Sequence, residues 1–457
     1  MEPGHRWFWH APWRLLWRLF WRLFWRPIRR VAVAWVWTSA MALGWSSAAA
    51  QAPSGQPDAV GLSASRLQRV EAFIARQQAD GKLAGAVTVV ARRGRLVVLK
   101  AQGFADLATQ RALRNDDIFQ IQSMTQPITA VAVLMLLEEG HFLLSDPIAR
   151  YLPEFADMKV AVAQADAPDG FVLVPARRGI TIHDLLTHRA GLVGVPPSNS
   201  PAHRLRRQAL QALPADGNFT LEQFVKNLAA SPLDSQPGST VAYGWAADVL
   251  GRLVEVVSGR SLAEFFAQRI FEPLDMADTS FVVPAAKRQR VVTAYGRAAD
   301  GKLAPVAPFS MAPTFFSASG NLFSTPTDYL RFCQMLLDSG PPGGSAGGNL
   351  SGQPVRPRLL GRKSVELMTA RHVEAWPAPH LAGQHVGLGV AVRSASGESG
   401  LIGSAGAYGW SGGYNTYFRI DPQEQMVLML FVQQAYTPGD QALQFGFHNT
   451  VMQAIID

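Results

Sequence analysis

Phe119-Gln120-Ile121-Gln122-Ser123-Met124-Thr125-Gln126-Pro127-Ile128-Thr129 sets Ser123 and Gln126 one helical turn apart. On an α-helix that spacing brings both side chains to one face. The run that follows, Val131-Ala132-Val133-Leu134-Met135-Leu136-Leu137, is apolar without a break and stops at Gly140. The segment therefore reads as the first turn of a buried helix with a glycine stop. Taken alone, Ser123 is either a helix N-cap or a reactive hydroxyl.

Working outward, both flanks read as α/β structure. Ser63 or Ser65 can cap a helix whose Leu67, Val70, Phe73 and Ile74 share one face. Strand-like runs Ala86 to Ala91 and Leu96 to Lys100 are joined by a turn around Arg93-Gly94-Arg95. Residues 120–335 read mainly as helices and loops. Strands return at Val386 to Val392, Thr416 to Ile420 and Met426 to Gln433, and a last helix runs from about Gln441 to Ile455. The Gly/Pro/Ser-rich stretch between Asp338 and Arg356 reads as a flexible surface insertion, because strands resume beyond it.

With 457 residues, 48% of them hydrophobic and 17% charged, the chain can bury a large core. Length alone allows two or three domains or one interleaved domain. The net charge of +8 invites a nucleic-acid reading, yet residues 1–50 hold seven arginines against one acid, Glu2. They contribute +6, which leaves +2 from Gln51 onward and no basic footprint for phosphate backbones. The leader itself has the order of a secretion signal: a basic stretch ending in Arg29-Arg30, an apolar run from Val31 to Trp45, then Ser46-Ser47-Ala48-Ala49-Ala50. The mature start is expected near Gln51. Trp13, Trp17, Trp21 and Trp25 recur every fourth residue, each followed by arginine, as on a membrane-surface helix. Cleavage implies a periplasmic or secreted protein, and retention a membrane-tethered one. The single cysteine, Cys333, reads as a small buried hydrophobe, and no Cys/His spacing suggests a metal.

Several further segments join the Ser123 stretch in a known order. They are Leu144-Ser145-Asp146-Pro147-Ile148, Thr181-Ile182-His183-Asp184-Leu185-Leu186-Thr187-His188-Arg189-Ala190-Gly191-Leu192, Tyr243 followed by Asp248-Val249-Leu250-Gly251, and Trp410-Ser411-Gly412. This set resembles the serine β-lactamase-related family, that is, class C β-lactamases and penicillin-binding-protein-like esterases, over roughly residues 62–456. The resemblance implies a β-lactamase-like α/β fold, an antiparallel sheet flanked by helices with a mainly helical lobe inserted. The sheet part would span about 60–115 and 380–457, and the lobe about 116–379, including the insertion 338–356. It also implies Ser123 as nucleophile, Tyr243 as proton carrier, and backbone N–H groups of Ser123 and Gly413 as oxyanion donors. Trp410, Ser411 and Gly412 stand where substrate is bound, with Trp410 as a cleft wall. His188 reads as a structural hydrogen-bonding residue, and no cofactor or metal is implied.

One position departs from the pattern: Gln126 stands where the family has its catalytic lysine. An amide can orient Ser123 but has no basicity with which to deprotonate it. Tyr243 remains a candidate base; a phenol with a pKa near 10 is ionised in about one molecule per thousand at pH 7, a cost of about 4 kcal/mol. The expected activity is hydrolysis of small esters or amides through an acyl-serine intermediate, weakened by Gln126. Esters are favoured over β-lactams because Trp410 supplies no cation for a substrate carboxylate. The alternative is a catalytically inactive relative that binds peptidoglycan-like or acylated ligands. A decoy is also present: Gly409-Trp410-Ser411-Gly412-Gly413 satisfies G-x-S-x-G, with Asp421 or Asp440 and His448 following. That nucleophile elbow requires a helix after the serine, and Tyr414 to Ile420 reads as a strand.

Overall fold

A computed structural model describes residues 55–194, 199–307, 313–340, 357–374, 383–394, 400–437 and 439–457. The expected leader, 1–50, and most of the expected insertion, 341–356, lie outside them.

Eight strands form one antiparallel sheet. Three come from the N-terminal end, β1 (Gly85–Arg92), β2 (Arg95–Asp106) and β3 (Arg111–Ala112). Five come from the C-terminal end: β4 (Gln384–Val386), β5 (Ala391–Arg393), β6 (Tyr408–Ser411), β7 (Tyr417–Asp421) and β8 (Met426–Phe431). Their order is β4-β5-β6-β7-β8-β1-β2-β3, so the two ends of the chain meet where β8 pairs with β1, Val87 facing Phe431 and Arg92 facing Met426. Both strands are buried along their whole length, which explains why they are apolar runs without polar alternation.

The period of two still sorts the β8 side chains between two layers. Leu428 and Leu430 face a core shared with α1 (Ala64–Ala79) and the C-terminal helix α6 (Gln441–Met452), through Leu67, Val70, Ile74, Phe447 and Val451. Met429 and Phe431 face the other way. Met429 meets Cys333, and the Phe431 ring packs against Tyr329; both partners lie on α5 (Pro326–Ser339). Cys333 is fully buried and free, and burial pushes its thiol well up. Ser63, not Ser65, caps α1, accepting the Arg66 N–H.

The intervening chain supplies the remaining helices that frame the site: α2 (Thr125–Glu138), α3 (Leu221–Ala229) and α4 (Ala246–Ser258), with α2 packed on α4. Pro53–Asp457 forms one compact unit. Three details differ from the sequence reading. Val386 to Val392 is not one strand but two, β4 and β5, turning through Gly387 and Gly389. Gly389 has φ +70, and a Cβ there would meet the Ala130 Cβ of α2 at 2.5 Å, so the turn is set by close approach to the helix. The middle of the chain also carries three two-stranded ladders, among them Lys159–Ala163 with Phe171–Pro175. Finally, α5 lies on the sheet, so the expected lobe 116–379 contributes a helix to the α/β layer.

Candidate active site

The segment bearing Ser123 is clamped before α2 begins. Phe119–Gln120 pairs with Phe323–Ser324, and the Gln433 amide brackets Gln120, accepting its N–H at 2.7 Å and donating to its carbonyl at 3.2 Å. Thr416 Oγ1 donates to the Ile121 carbonyl at 3.2 Å, and Tyr329 donates to the Met124 carbonyl at 2.8 Å. Between these anchors Gln122 adopts φ 49, a left-handed conformation that costs a non-glycine residue about 1–3 kcal/mol and persists only when its surroundings enforce it. Ser123 follows in a short 3₁₀ turn, Gln122–Met124, that runs into α2.

Tyr243 precedes α4 in an equally constrained stretch. The Ala242 N–H donates to the His188 carbonyl, and the Gly194 N–H to the Tyr243 carbonyl. A Cβ on Gly244 would sit 2.0 Å from the Leu192 carbonyl oxygen, so only glycine admits that contact. The loop from Leu192 thereby holds the tyrosine over Ser123.

Three side chains converge on the Tyr243 phenol oxygen. Gln126 Nε2 donates to it, and the side chains of Ser123 and Trp410 are hydrogen-bonded to it as well. Gln126 Nε2 also donates to the Ser319 carbonyl at 3.2 Å. That second bond orients the amide, since the opposite flip would point one oxygen at another. Ser319 is held in turn by Asp248, which accepts from Ser317 Oγ at 2.7 Å, the Ser319 N–H at 3.3 Å, and Ser319 Oγ. Gln126 thus reaches Tyr243, whereas the sequence reading had it orient Ser123. It retains the donor geometry of an amine without the charge.

Burial dominates the electrostatics. It raises the Tyr243 phenol above its ordinary value; the bonds from Ser123, Gln126 and Trp410 act in the opposite sense, and the nearby Asp248 adds to the rise. Burial likewise raises Asp248 against its hydroxyl donors. His188 is buried, its pKa lowered by desolvation to about 4, so it is neutral near pH 7. Its ring lies parallel to Trp410 at 6.0 Å and tilted against Tyr243 at 5.1 Å, a wedge behind the tyrosine.

The third motif is placed differently from the sequence expectation. Trp410 is 9% exposed and packs on Tyr243 and His188, instead of forming a wall of the cavity above Ser123. Gly412 is buried against the nucleophile segment: a Cβ there would lie 2.4 Å from the Ile121 carbonyl oxygen. Ser411 ends β6, and a turn and then strand β7 follow it, so no helix completes the elbow of the decoy motif. His448 is used elsewhere, bonded to the Tyr417 hydroxyl and the Ile402 carbonyl. Gly413 is exposed beside the Gln122 side chain. Ser123 and Tyr243 open into a cavity of about 890 Å³. Gln122 and Asp248 lie inside motifs, one beside the serine and the other in a helix pattern, without a role that sequence assigns to them, and Ser319 lies in no motif.

A sheet closed by both chain ends, with a serine and a tyrosine brought together at the head of a buried helix, is the architecture of the serine β-lactamase-related class. The family model described as Beta-lactamase matches residues 70–448, and the chain belongs to that family. Protein Rv1367c of Mycobacterium tuberculosis is 34% identical over 369 residues, 77% of this chain and 86% of the relative. Esterase EstB of Burkholderia gladioli is 35% identical over 260 residues, 56% of this chain and 60% of its own. The solved structure of simvastatin synthase (LovD) from Aspergillus terreus superposes with TM-score 0.70 at 22% identity, covering 85% of this chain and 98% of that one. At that identity it supports the fold alone. The esterase and acyltransferase relatives support a serine-hydrolase-like function.

Proposed function

We propose that this protein hydrolyses small esters through an acyl-Ser123 intermediate, with Tyr243 as the proton carrier and Gln126 as a neutral donor in the position of a lysine. The observation that carries this reading is the convergence of Ser123, Gln126 and Trp410 on one phenol oxygen. A neutral phenol oxygen offers two lone pairs and a proton; a phenolate accepts all three donors. In the reactive form Ser123 Oγ attacks the ester carbonyl as its proton passes to Tyr243. The oxyanion faces the backbone N–H groups of Ser123 and Gly413. Collapse of the tetrahedral species expels the alcohol, which takes the proton back from Tyr243. Water then repeats the sequence on the acyl-serine and releases the acid.

Because burial raises the tyrosine and no cation among the described residues offsets it, turnover is slow at neutral pH and rises with pH as the phenolate forms. Labelling with a fluorophosphonate serine probe, read by intact mass, tests the assignment. Wild type and Ser411→Ala take up the probe, and Ser123→Ala does not. Labelling that persists in Ser123→Ala and vanishes in Ser411→Ala overturns it. A second reading, a silent ligand-binding relative, is favoured by the missing cation at Gln126; it gains ground if no Ser123-dependent turnover is found up to pH 10. The leader supports export, with a mature N-terminus near Gln51. N-terminal sequencing of secreted protein that shows residues 1–45 intact would support a membrane anchor instead.

A further inference from the structure

Four aromatic rings from three chain segments wall the cavity beside Ser123: Phe219, Phe224, Trp245 and Phe315. Phe315 packs on Phe219 at 4.9 Å and on Phe224 at 4.7 Å between centroids, and Phe224 meets Trp245 edge-on at 5.3 Å. The wall is braced from behind. Phe224 is buried on α3, whose start is set by a capping box between Thr220 and Gln223, directly after Phe219. Thr314 Oγ1 donates to the carbonyls of Gly217 and Phe219 at 3.3 and 3.1 Å, tying the segment that bears Phe315 to the one that bears Phe219. Phe219, Trp245 and Phe315 keep part of their surface open, and all three border the cavity.

The charge around the cavity is one-sided. Among the described residues that line it, Asp216 is the only charged one, and no lysine, arginine or histidine is present. A carboxylate entering this space loses hydration, finds no cation and meets a negative group. A planar apolar group gains burial against rings that are already packed, so little ordering is required of the protein.

The geometry points to a specificity pocket for neutral esters that carry a phenyl-sized apolar group, and against esters or β-lactams that carry a carboxylate. Placing the ester carbonyl at Ser123 rests on the proposed hydrolase reading; the preference of the pocket does not.

The two are separable with Ser123→Ala, which binds without turnover. Calorimetry on that variant compares ethyl acetate, benzyl acetate, ethyl phenylacetate and benzyl hydrogen succinate, and kcat/KM on the wild-type protein compares the same four. At least one neutral aromatic ester should bind roughly ten-fold tighter than ethyl acetate, in line with burial of a phenyl group. Benzyl hydrogen succinate should bind roughly ten-fold weaker than benzyl acetate, as expected for an unpaired carboxylate. Adding Phe315→Ala should remove the aromatic preference, and Phe219→Leu, which keeps bulk, serves if the alanine variant melts early. Asp216→Asn should narrow the gap between the acetate and the succinate. Equal affinity for ethyl and aromatic esters, or tighter binding of the succinate, overturns the pocket. Aromatic preference in binding with no Ser123-dependent turnover leaves the pocket standing and removes the hydrolase reading.

Discussion

Arg92 and Tyr243 each anchor a buried polar cluster, yet the two are assembled from opposite materials. Arg92 is 2% exposed and surrounded by acceptors: the Val60 and Gly61 carbonyls at 2.9 and 2.8 Å, Asp457 at 2.7 Å and Glu424 at 2.7 Å. A full cation there joins β1 to the residues beside α1 and to the end of the chain. Tyr243 is surrounded by neutral partners: a hydroxyl, an amide and an indole. Full charges serve rigidity in the Arg92 corner. In the candidate site, neutral dipoles hold the phenol that exchanges a proton in the proposed reaction. A fixed cation beside the phenol would make the phenolate easier to reach; none stands there among the described residues, so the proposed base depends on pH.

The largest effect is expected from Tyr243→Phe, which keeps the ring packing on His188 and Trp410 and removes the oxygen. Loss of a general base should lower kcat/KM for a short-chain p-nitrophenyl ester by on the order of 10²–10⁴, with Tm little changed. A rate within a few-fold of wild type would mean that another residue moves the proton. On the other side of the comparison, Arg92→Met should cost on the order of 1–3 kcal/mol of stability in urea titration, because the buried Val60 carbonyl loses its donor while the half-exposed Glu424 and Asp457 turn to water. Activity per folded molecule should stay near wild type; a collapse of kcat without loss of stability would break the division between structural and reactive clusters.

Gln126→Lys sharpens the contrast by placing a cation in the neutral cluster. A positive charge favours the phenolate, so the Tyr243 pKa falls and the rise in rate with pH moves to lower pH. At pH 7, kcat/KM should increase by roughly ten- to a thousand-fold, and the gain should vanish in the double variant with Ser123→Ala. Substantial Ser123-dependent turnover in wild type that the lysine lowers would show that Tyr243 is not the base. The smallest effect belongs to Trp410→Phe, which deletes one N–H donor while keeping a ring against His188. A single hydrogen bond of about 1 kcal/mol corresponds to roughly five-fold in rate, accompanied by a pH profile displaced upward. An unchanged profile would leave Trp410 with packing alone.

Much of this architecture was written in local pattern. The amphipathic face of α1 has a helical period, and the unbroken apolar runs of β1, β8 and the stretch after Gln126 mark segments buried on every side. The ordered motifs then placed Ser123, Gln126 and Tyr243 as candidates for one site. What local pattern could not carry were the contacts between residues far apart in the chain. That Gln126 serves Tyr243 and Ser319 depends on where α4 and the segment before Phe323 come to rest. That Trp410 backs the tyrosine depends on the register of β6 against β7. The left-handed Gln122 has no signature at all, because the conformation is imposed by clamps at Ile121, Met124 and Gln120. Sequence by itself determined which chemical groups were available and which segments had to be buried. Tertiary structure decided which donor meets which acceptor, since hydrogen bonds act over about 3 Å, and only the packed fold brings residues more than a hundred positions apart within that reach.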